Sequence, residues 1–229
     1  MSGGLAIFVK TPGQSPVKTR LAQHLGRLKA EAFHLAAAAA VASVAQRAGL
    51  ASDFTVYWAV AEREAMAANA WKDLPCLFQG TGTLGERMDA VYRQLRTNDG
   101  FAILVGADAP QLRAEALMRA AIWLDAPEPR LVIGRARDGG FWLFGGNVML
   151  PPEAWLQPTY SQSMTAHEFT HAMSTYGRWL ELELLSDVDC VEDLAVACSE
   201  LKALNSLTLE QQRLLDWLRG AELGVGASA

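Results

Sequence analysis

Cations and carboxylates recur in this chain immediately after short apolar runs. The first such loop, 10-KTPGQSPVKTRLAQHLG-26, sets Lys10, Lys18 and Arg20 around a Pro/Gly turn that leads into a helix. Three cations beside the free backbone N–H groups of a helix start suit a phosphate, in charge and in hydrogen bonding. The same residues also suit a solvated basic loop. In 104-LVGADAPQL-112 an apolar strand runs straight into Asp108. A lone carboxylate there either holds a Mg²⁺ or Mn²⁺ that keeps water and phosphate ligands, or caps the next helix. In 135-RARDGGFWLFGG-146, Asp138 ends another strand, and Gly139-Gly140 either bring backbone close to a ligand or close a tight turn. In 184-LLSDVDCVEDL-194, Asp187 and Asp189 stand two apart before a helix whose first turn carries Glu192 and Asp193. One of the pair is a candidate N-cap and one a candidate second metal ligand.

These loops need a scaffold that brings strand ends together. Short β-rich runs (5–10, 54–60, 101–110, 131–138) alternate with amphipathic stretches (30–48, 62–70, 84–95, 114–124). The alternation predicts an α/β fold with a mostly parallel sheet and helices on both faces. The runs 5–9 and 102–106 are continuously apolar, as central strands buried on both faces are. In such sheets ligands bind at the carboxyl ends of the strands, where the four loops fall. The alanine run 36–40 lies inside a helical window and lets that helix pack close to the sheet. Beyond residue 139 the alternation loosens around 141-FWLFGGNVMLPPEAW-155, where an antiparallel strand and acceptor-binding loops are expected.

The chain has 229 residues, about half of them hydrophobic, enough for one sizeable core. No linker or repeat divides it, so a single domain over 1–220 is expected, with a frayed tail at 221–229. A formal charge of −5 with no Lys/Arg run argues against nucleic acid as a partner and favours small metabolites. The N-terminus enters an apolar strand with no basic segment before it, and no apolar stretch is expected to cross a bilayer. A cytoplasmic location follows as an expectation. Cys76, Cys190 and Cys198 lack CxxC spacing, which suggests neither a disulfide framework nor a cysteine zinc site.

The segments 5-LAIFVKTPGQSPVKTRLA-22, 79-QGTGTLGERM-88, 105-VGADAP-110, 138-DGGFWLFG-145 and 187-DVDCVEDL-194 occur in an order that resembles a bacterial family. These are the GT-A-type glycosyltransferase-like proteins known as arsenosugar-biosynthesis or radical-SAM/selenodomain-associated transferases, within the nucleotide-diphospho-sugar transferase superfamily. The resemblance implies a Rossmann-like GT-A sheet that holds a nucleotide over its carboxyl edge, with Mg²⁺ or Mn²⁺ bridging the diphosphate. It implies Lys10, Lys18 and Arg20 at the phosphates and Gly82, Leu84, Gly85 and Arg87 in the nucleotide pocket. Asp108 matches the metal-binding aspartate, with Asp189 or Asp187 near the metal. Asp138, Gly139 and Gly140 match the sugar or acceptor side, which Tyr160-Ser161 joins in place of a Trp-Ser pair. The chain departs from the family at Gln14-Ser15, where Pro-Gly is commoner, and at Thr83, where an acidic residue is common. Ala107 and Ala109 flank Asp108 where small hydroxyl residues are usual.

A separate pattern, His167-Glu168-Phe169-Thr170-His171, has the spacing of a zinc metalloprotease, in which two histidines bind zinc and the glutamate polarises water. No third ligand stands at a zincin spacing and the surrounding chain is nucleotide-binding α/β, so the match is expected to be incidental. Met164, Phe169 and Met173 are expected on that helix's buried stripe, with Glu168 and His171 toward solvent. His167 follows Tyr160-Ser161 and is kept as a candidate general base, since histidine titrates near neutrality.

The expected activity is metal-dependent transfer from a nucleotide-diphospho-sugar donor to a small-molecule acceptor, with Asp138 orienting or deprotonating the acceptor. Two alternatives stand beside it: a nucleotidyltransferase joining an NTP to a phosphorylated small molecule, and a nucleotide-binding module with weakened catalysis, suggested by the altered neighbours of Asp108.

Overall fold

Alternation of side chains along the first strand sets the architecture. In β1 (Gly3–Val9), Leu5, Ile7 and Val9 enter one apolar cluster, while Ala6 and Phe8 join another on the opposite face. The strand is therefore buried on both sides, and a period of two splits its residues between two cores. The computed structural model describes residues 2–225, without the side chains of 221–225.

After β1 come α1 (Thr19–Leu25), α2 (Arg27–Ser52), β2 (Phe54–Val60), α3 (Arg63–Ala67), β3 (Cys76–Phe78) and α4 (Leu84–Asn98). The chain continues through β4 (Phe101–Gly106), α5 (Ala114–Leu124), β5 (Arg130–Arg135), β6 (Phe141–Gly146), α6 (Pro152–Leu156) and α7 (Thr165–Ala172). It closes with β7 (Arg178–Glu181), α8 (Val191–Lys202) and α9 (Leu209–Val225). Of the expected tail, 226–229 lies outside the described residues.

The seven described strands form one sheet in the order β3-β2-β1-β4-β6-β5-β7. Only β6 runs against the others: it pairs antiparallel with β4 and β5, whereas the remaining pairings are parallel. This is the expected mostly parallel α/β sheet, with the antiparallel strand where the alternation loosened. The chain builds outward from β1 to β3, then crosses to the other side with β4. The gap between the ends of β1 and β4 is thus the topological switch point, where open α/β sheets bind ligands. Because β6 is reversed, its first residue, Phe141, lies at that same edge.

Helices α2 and α5 cover one face, and α4, α6 and α7 the other. Ala37, Ala38 and Ala40 of α2 are fully buried, and a third cluster joins α1, α2, α8 and α9 around Phe33 and Leu201. Helix α2 corrects the expectation that no apolar stretch reaches bilayer length. Arg27–Ser52 is long and apolar enough, but 56% of its apolar window is buried inside the protein. Its apolarity is satisfied by packing on the sheet, α5 and α9.

Candidate active site

Where β1 ends, the chain turns into the loop that carries the cations. Three buried or half-buried groups hold this loop down. His34 of α2 donates from Nε2 to the Lys10 carbonyl at 2.9 Å, the Thr11 N–H donates to Glu62 Oε2 at 2.9 Å, and Trp71 Nε1 donates to Thr11 Oγ1 at 2.9 Å. Burial lowers the pKa of His34, so the ring is neutral, and the carbonyl partner requires its Nε2–H tautomer.

The loop delivers Lys18 to the start of α1 in the left-handed conformation (φ 45°, ψ 46°). Its side chain is only 4% exposed, and its Nζ donates to Asp108 Oδ1 at 2.8 Å and to Asp189 Oδ1 at 3.1 Å. Burial alone would lower the lysine pKa, but Asp108 and then Asp189 outweigh it and raise the value. Lys18 is therefore a buried ammonium held charged by two carboxylates, which are themselves 44% and 49% exposed. Arg20 is 76% exposed, with Nη1 4.0 Å from Asp189 Oδ2, and Lys10 is exposed as well.

Asp108 and Asp189 meet because the Val188 N–H donates to the Asp108 carbonyl at 3.2 Å, fastening the 187–189 segment to the end of β4. Neither aspartate caps a helix. Arg113 precedes α5, and the α8 N-cap is Cys190, in a capping box in which Asp193 Oδ2 accepts from the Cys190 N–H at 2.8 Å and the Asp189 N–H at 2.9 Å. The capping alternatives for Asp108, Asp187 and Asp189 are thereby overturned. Asp187, half-buried, has its pKa pushed up to about 6, first by burial and then by Asp138, Asp189 and Asp108. This edge holds an excess of negative charge close to Lys18.

A cavity of about 700 Å³ opens over these groups, within the size range of small-ligand sites. Lys10, Lys18, Arg20, Asp108, Asp138 and Asp189 all line it. So do Gly82, Leu84 and Arg87 on one side and Gly140, Tyr160 and Ser161 on the other. Asp138 combines both of its sequence readings: Oδ1 accepts from the Gly140 N–H at 2.8 Å inside a tight turn, and the residue still borders the cavity. Arg87 Nε donates to the Gly82 carbonyl at 3.0 Å, and Gly82 has φ 98°, a conformation glycine adopts without strain.

Three expected site residues lie elsewhere among the described residues. Gly85 is buried at the start of α4, where an added Cβ would run into the Trp155 carbonyl and the Tyr160 ring; it serves close helix packing. Gly139 has φ 94°, and a Cβ there would meet the backbone of Ser163. His167 points outward, because Thr165, Ala166 and Phe169 form the buried face of α7. Glu168, which a zinc hydrolase would need free, accepts from the Thr159 N–H at 2.7 Å. Met164, expected in the buried stripe, is 51% exposed, since it precedes the first helical turn.

Sequence reasoning passed over Gln79. This buried side chain borders the cavity just after β3 and donates to the Val9 carbonyl at 3.1 Å and the Ala59 carbonyl at 2.8 Å. It ties the ends of β1 and β2 together under the site. A glutamine directly after an apolar strand was the available signal, as the aspartate was after β4. His34 likewise had no assigned role; its position in the buried face of the helix after β1 was the clue.

No three His, Cys, Asp or Glu side chains among the described residues come together as a ligand set. The donor set available to a divalent cation is Asp108 plus Asp189, each half-exposed and each lining the cavity. Two carboxylates fit Mg²⁺ or Mn²⁺ in a site completed by water and substrate phosphates. Ala107 and Ala109 are buried, at 3% and 2%, so Asp108 takes its support from Lys18 and not from neighbouring hydroxyls.

The family model described as "Uncharacterized protein conserved in bacteria (DUF2064)" matches residues 40–162, more than half of the chain, and the chain belongs to that family. No curated protein matches the sequence. Among solved structures, it is similar to a candidate nucleotide-diphospho-sugar transferase from Desulfovibrio desulfuricans G20, at 26% identity and a TM-score of 0.77 over 95% of this chain and 97% of that one. The fold alone is shared with two others. One is CMP:2-keto-3-deoxy-manno-octonic acid synthetase complexed with CTP (12% identity, TM-score 0.52, 89% and 100% covered). The second is 4-diphosphocytidyl-2C-methyl-D-erythritol synthase from Anaerococcus prevotii DSM 20548 (8%, 0.55, 88% and 99%).

Proposed function

We propose that this member of the family is a transferase of nucleotide-activated substrates, and specifically a metal-dependent glycosyltransferase acting on a nucleotide-diphospho-sugar and a small-molecule acceptor. The observation that carries this reading is the convergence of three cations and two carboxylates in one cavity at the β1/β4 switch point. The description of the Desulfovibrio protein as a candidate nucleotide-diphospho-sugar transferase supports the choice of donor.

In this reading the diphosphate lies against Lys10, at the start of the β1–α1 loop, and Arg20, in the first turn of α1, both exposed. Asp108 and Asp189 would hold Mg²⁺ or Mn²⁺, which supplies charge neutralisation for the departing diphosphate. The nucleoside occupies the side walled by Gly82, Leu84 and Arg87, where Met88 and Phe8 offer apolar surface. Gln79 keeps the floor rigid by holding two strand ends together. Across the cavity, Asp138 has one oxygen engaged by Gly140 and the other free for an acceptor hydroxyl. The acceptor oxygen attacks the anomeric carbon, the bond from that carbon to the diphosphate oxygen breaks, and the acceptor proton passes to Asp138. A cytoplasmic setting and a single-domain organisation belong to the same proposal.

The shared fold of two nucleotidyl-transferring synthetases motivates a second reading, attack on the α-phosphorus of an NTP by a phosphorylated small molecule. Product analysis separates the two. Incubation with nucleotide-sugars and Mn²⁺ should release a nucleoside diphosphate; release of pyrophosphate from an NTP, with no nucleoside diphosphate from any nucleotide-sugar, would replace the glycosyltransferase by the nucleotidyltransferase.

A further inference from the structure

The residue expected to meet phosphate instead sits between the two carboxylates expected to meet metal. We propose that Lys18 is a displaceable occupant of the Asp108–Asp189 pair: its ammonium holds the carboxylates together until a divalent cation enters with a diphosphate, and then transfers to a phosphate oxygen. The inference rests on reading the cavity as a nucleotide-diphosphate site.

The geometry carries it. Lys18 Nζ is 2.8 Å from Asp108 Oδ1 and 3.1 Å from Asp189 Oδ1, so one compact charge bridges both groups. With its side chain 4% exposed, the ammonium has little water, and the two carboxylates replace its hydration. They in turn need a cation, because their Oδ1 atoms face each other across the same Nζ, and two carboxylates that close repel. A divalent ion coordinating these oxygens at roughly 2.0–2.6 Å would stand within a few ångströms of Nζ, and two cations that close repel strongly. Metal entry and departure of the ammonium are therefore one exchange.

What the ammonium finds on leaving decides when the exchange occurs. With metal alone, Lys18 loses two carboxylates and gains only water. With a diphosphate in the cavity it gains a charge-assisted hydrogen bond to phosphate, a common lysine partner. The lysine thus makes metal and diphosphate binding mutually favourable, and the coupling must be reciprocal. The motion requires only rotation about the side chain's own torsions, since Lys18 is the N-cap of α1 and the helix that follows fixes its backbone. Arg20 and Lys10, both exposed, remain to hold the phosphate in place before Lys18 arrives.

The test is titration of the full chain with Mn²⁺, with the free ion followed by electron paramagnetic resonance, with and without inorganic pyrophosphate. Wild type should bind Mn²⁺ weakly alone and about ten-fold more tightly with pyrophosphate, a coupling of ordinary size. Lys18→Met and Lys18→Gln, each checked for native circular dichroism, should bind Mn²⁺ alone about ten-fold more tightly than wild type and lose most of the pyrophosphate enhancement. Lys18→Arg, which keeps the charge, should stay near wild type, and adding Asp108→Asn to Lys18→Met should cancel the gain. Folded Met and Gln variants that bind Mn²⁺ no more tightly than wild type would overturn the proposal. A gain in those variants with no pyrophosphate effect in wild type would retain Lys18 as the occupant. It would overturn both the transfer to phosphate and the diphosphate reading of the cavity.

Discussion

At the scale of single residues, the site is a charge balance in which no member is independent. Lys18 is charged because Asp108 and Asp189 flank it, and its ammonium is the one buried cation that bridges the two carboxylates. Replacing Asp108 by Asn removes one of the two proposed metal ligands and one of the lysine's two carboxylate partners, so the proposed metal-dependent turnover should vanish; activity near that of wild type in the Asn variant would remove Asp108 from the mechanism. His34 gives a separate prediction for stability. Burial puts its folded pKa below the unfolded value of 6.5, so the unfolded chain takes up the proton first as pH falls. Its contribution is complete above pH 6.5 and lost as pH drops through that value toward the folded pKa. Thermal melts between pH 8 and 5 should show a smaller decline for His34→Gln than for wild type, and parallel declines would rule out this role. The place of Asp108 at this edge was legible in the sequence because it directly follows an apolar strand, although the same position equally suited a helix cap. The partnership of Lys18 with Asp189 was not, since it spans 171 residues and depends on which strands become neighbours.

At the scale of elements, α4 is held at its start by local chemistry and by contact with α6. Thr83 and Glu86 form a capping box, in which Glu86 Oε2 accepts from the Thr83 N–H at 2.7 Å and Thr83 Oγ1 from the Glu86 N–H at 3.4 Å. The threonine that departs from the family's acidic residue thus has a structural use. Thr83→Ala should cost about 1 kcal/mol, or ~2–4 °C in Tm for a chain of this size. Gly85→Val should destabilise by about 1–3 kcal/mol through overpacking against Trp155 and Tyr160, a cost readable by urea denaturation. A neutral Gly85→Val would mean that the two helices do not approach as closely as described. The expected strands and helices up to residue 138 could be read from apolar periodicity and are present with shifted ends, but the three-residue β3 was too short to show there. Expected helix 62–70, for instance, shrinks to Arg63–Ala67. The orientation of helix α7 was largely legible: Phe169 and Met173 are buried and His171 is exposed as its apolar spacing implied, whereas Met164 falls outside the stripe and Glu168 is half-buried. Packing of Phe169 against Phe141, Phe144 and Trp155 selects the face that turns His167 and His171 outward.

At the scale of the whole molecule, one sheet places every charged group of the site on a single edge. Strands β1, β4 and β5 end there and β6 begins there, so loops from distant parts of the sequence form one cavity. An antiparallel strand near 141–155 was expected, but the order β4-β6-β5-β7 lay beyond sequence reasoning, because strand order is a matter of pairing and not of periodicity. The carboxyl-edge rule needed only the parallel strands, which is why the site could be expected without the full topology. A ligand that bridges the edge should stabilise the fold as a unit, by mass action on the native state. The most direct measurement is therefore the melting temperature against a panel of nucleotide-sugars, nucleoside diphosphates and NTPs, each with and without Mn²⁺, in wild type and Asp108→Asn. The account predicts a Mn²⁺-dependent rise with at least one nucleotide-sugar that Asp108→Asn abolishes. No rise with any nucleotide-sugar, or a rise of equal size in the Asn variant, would contradict it.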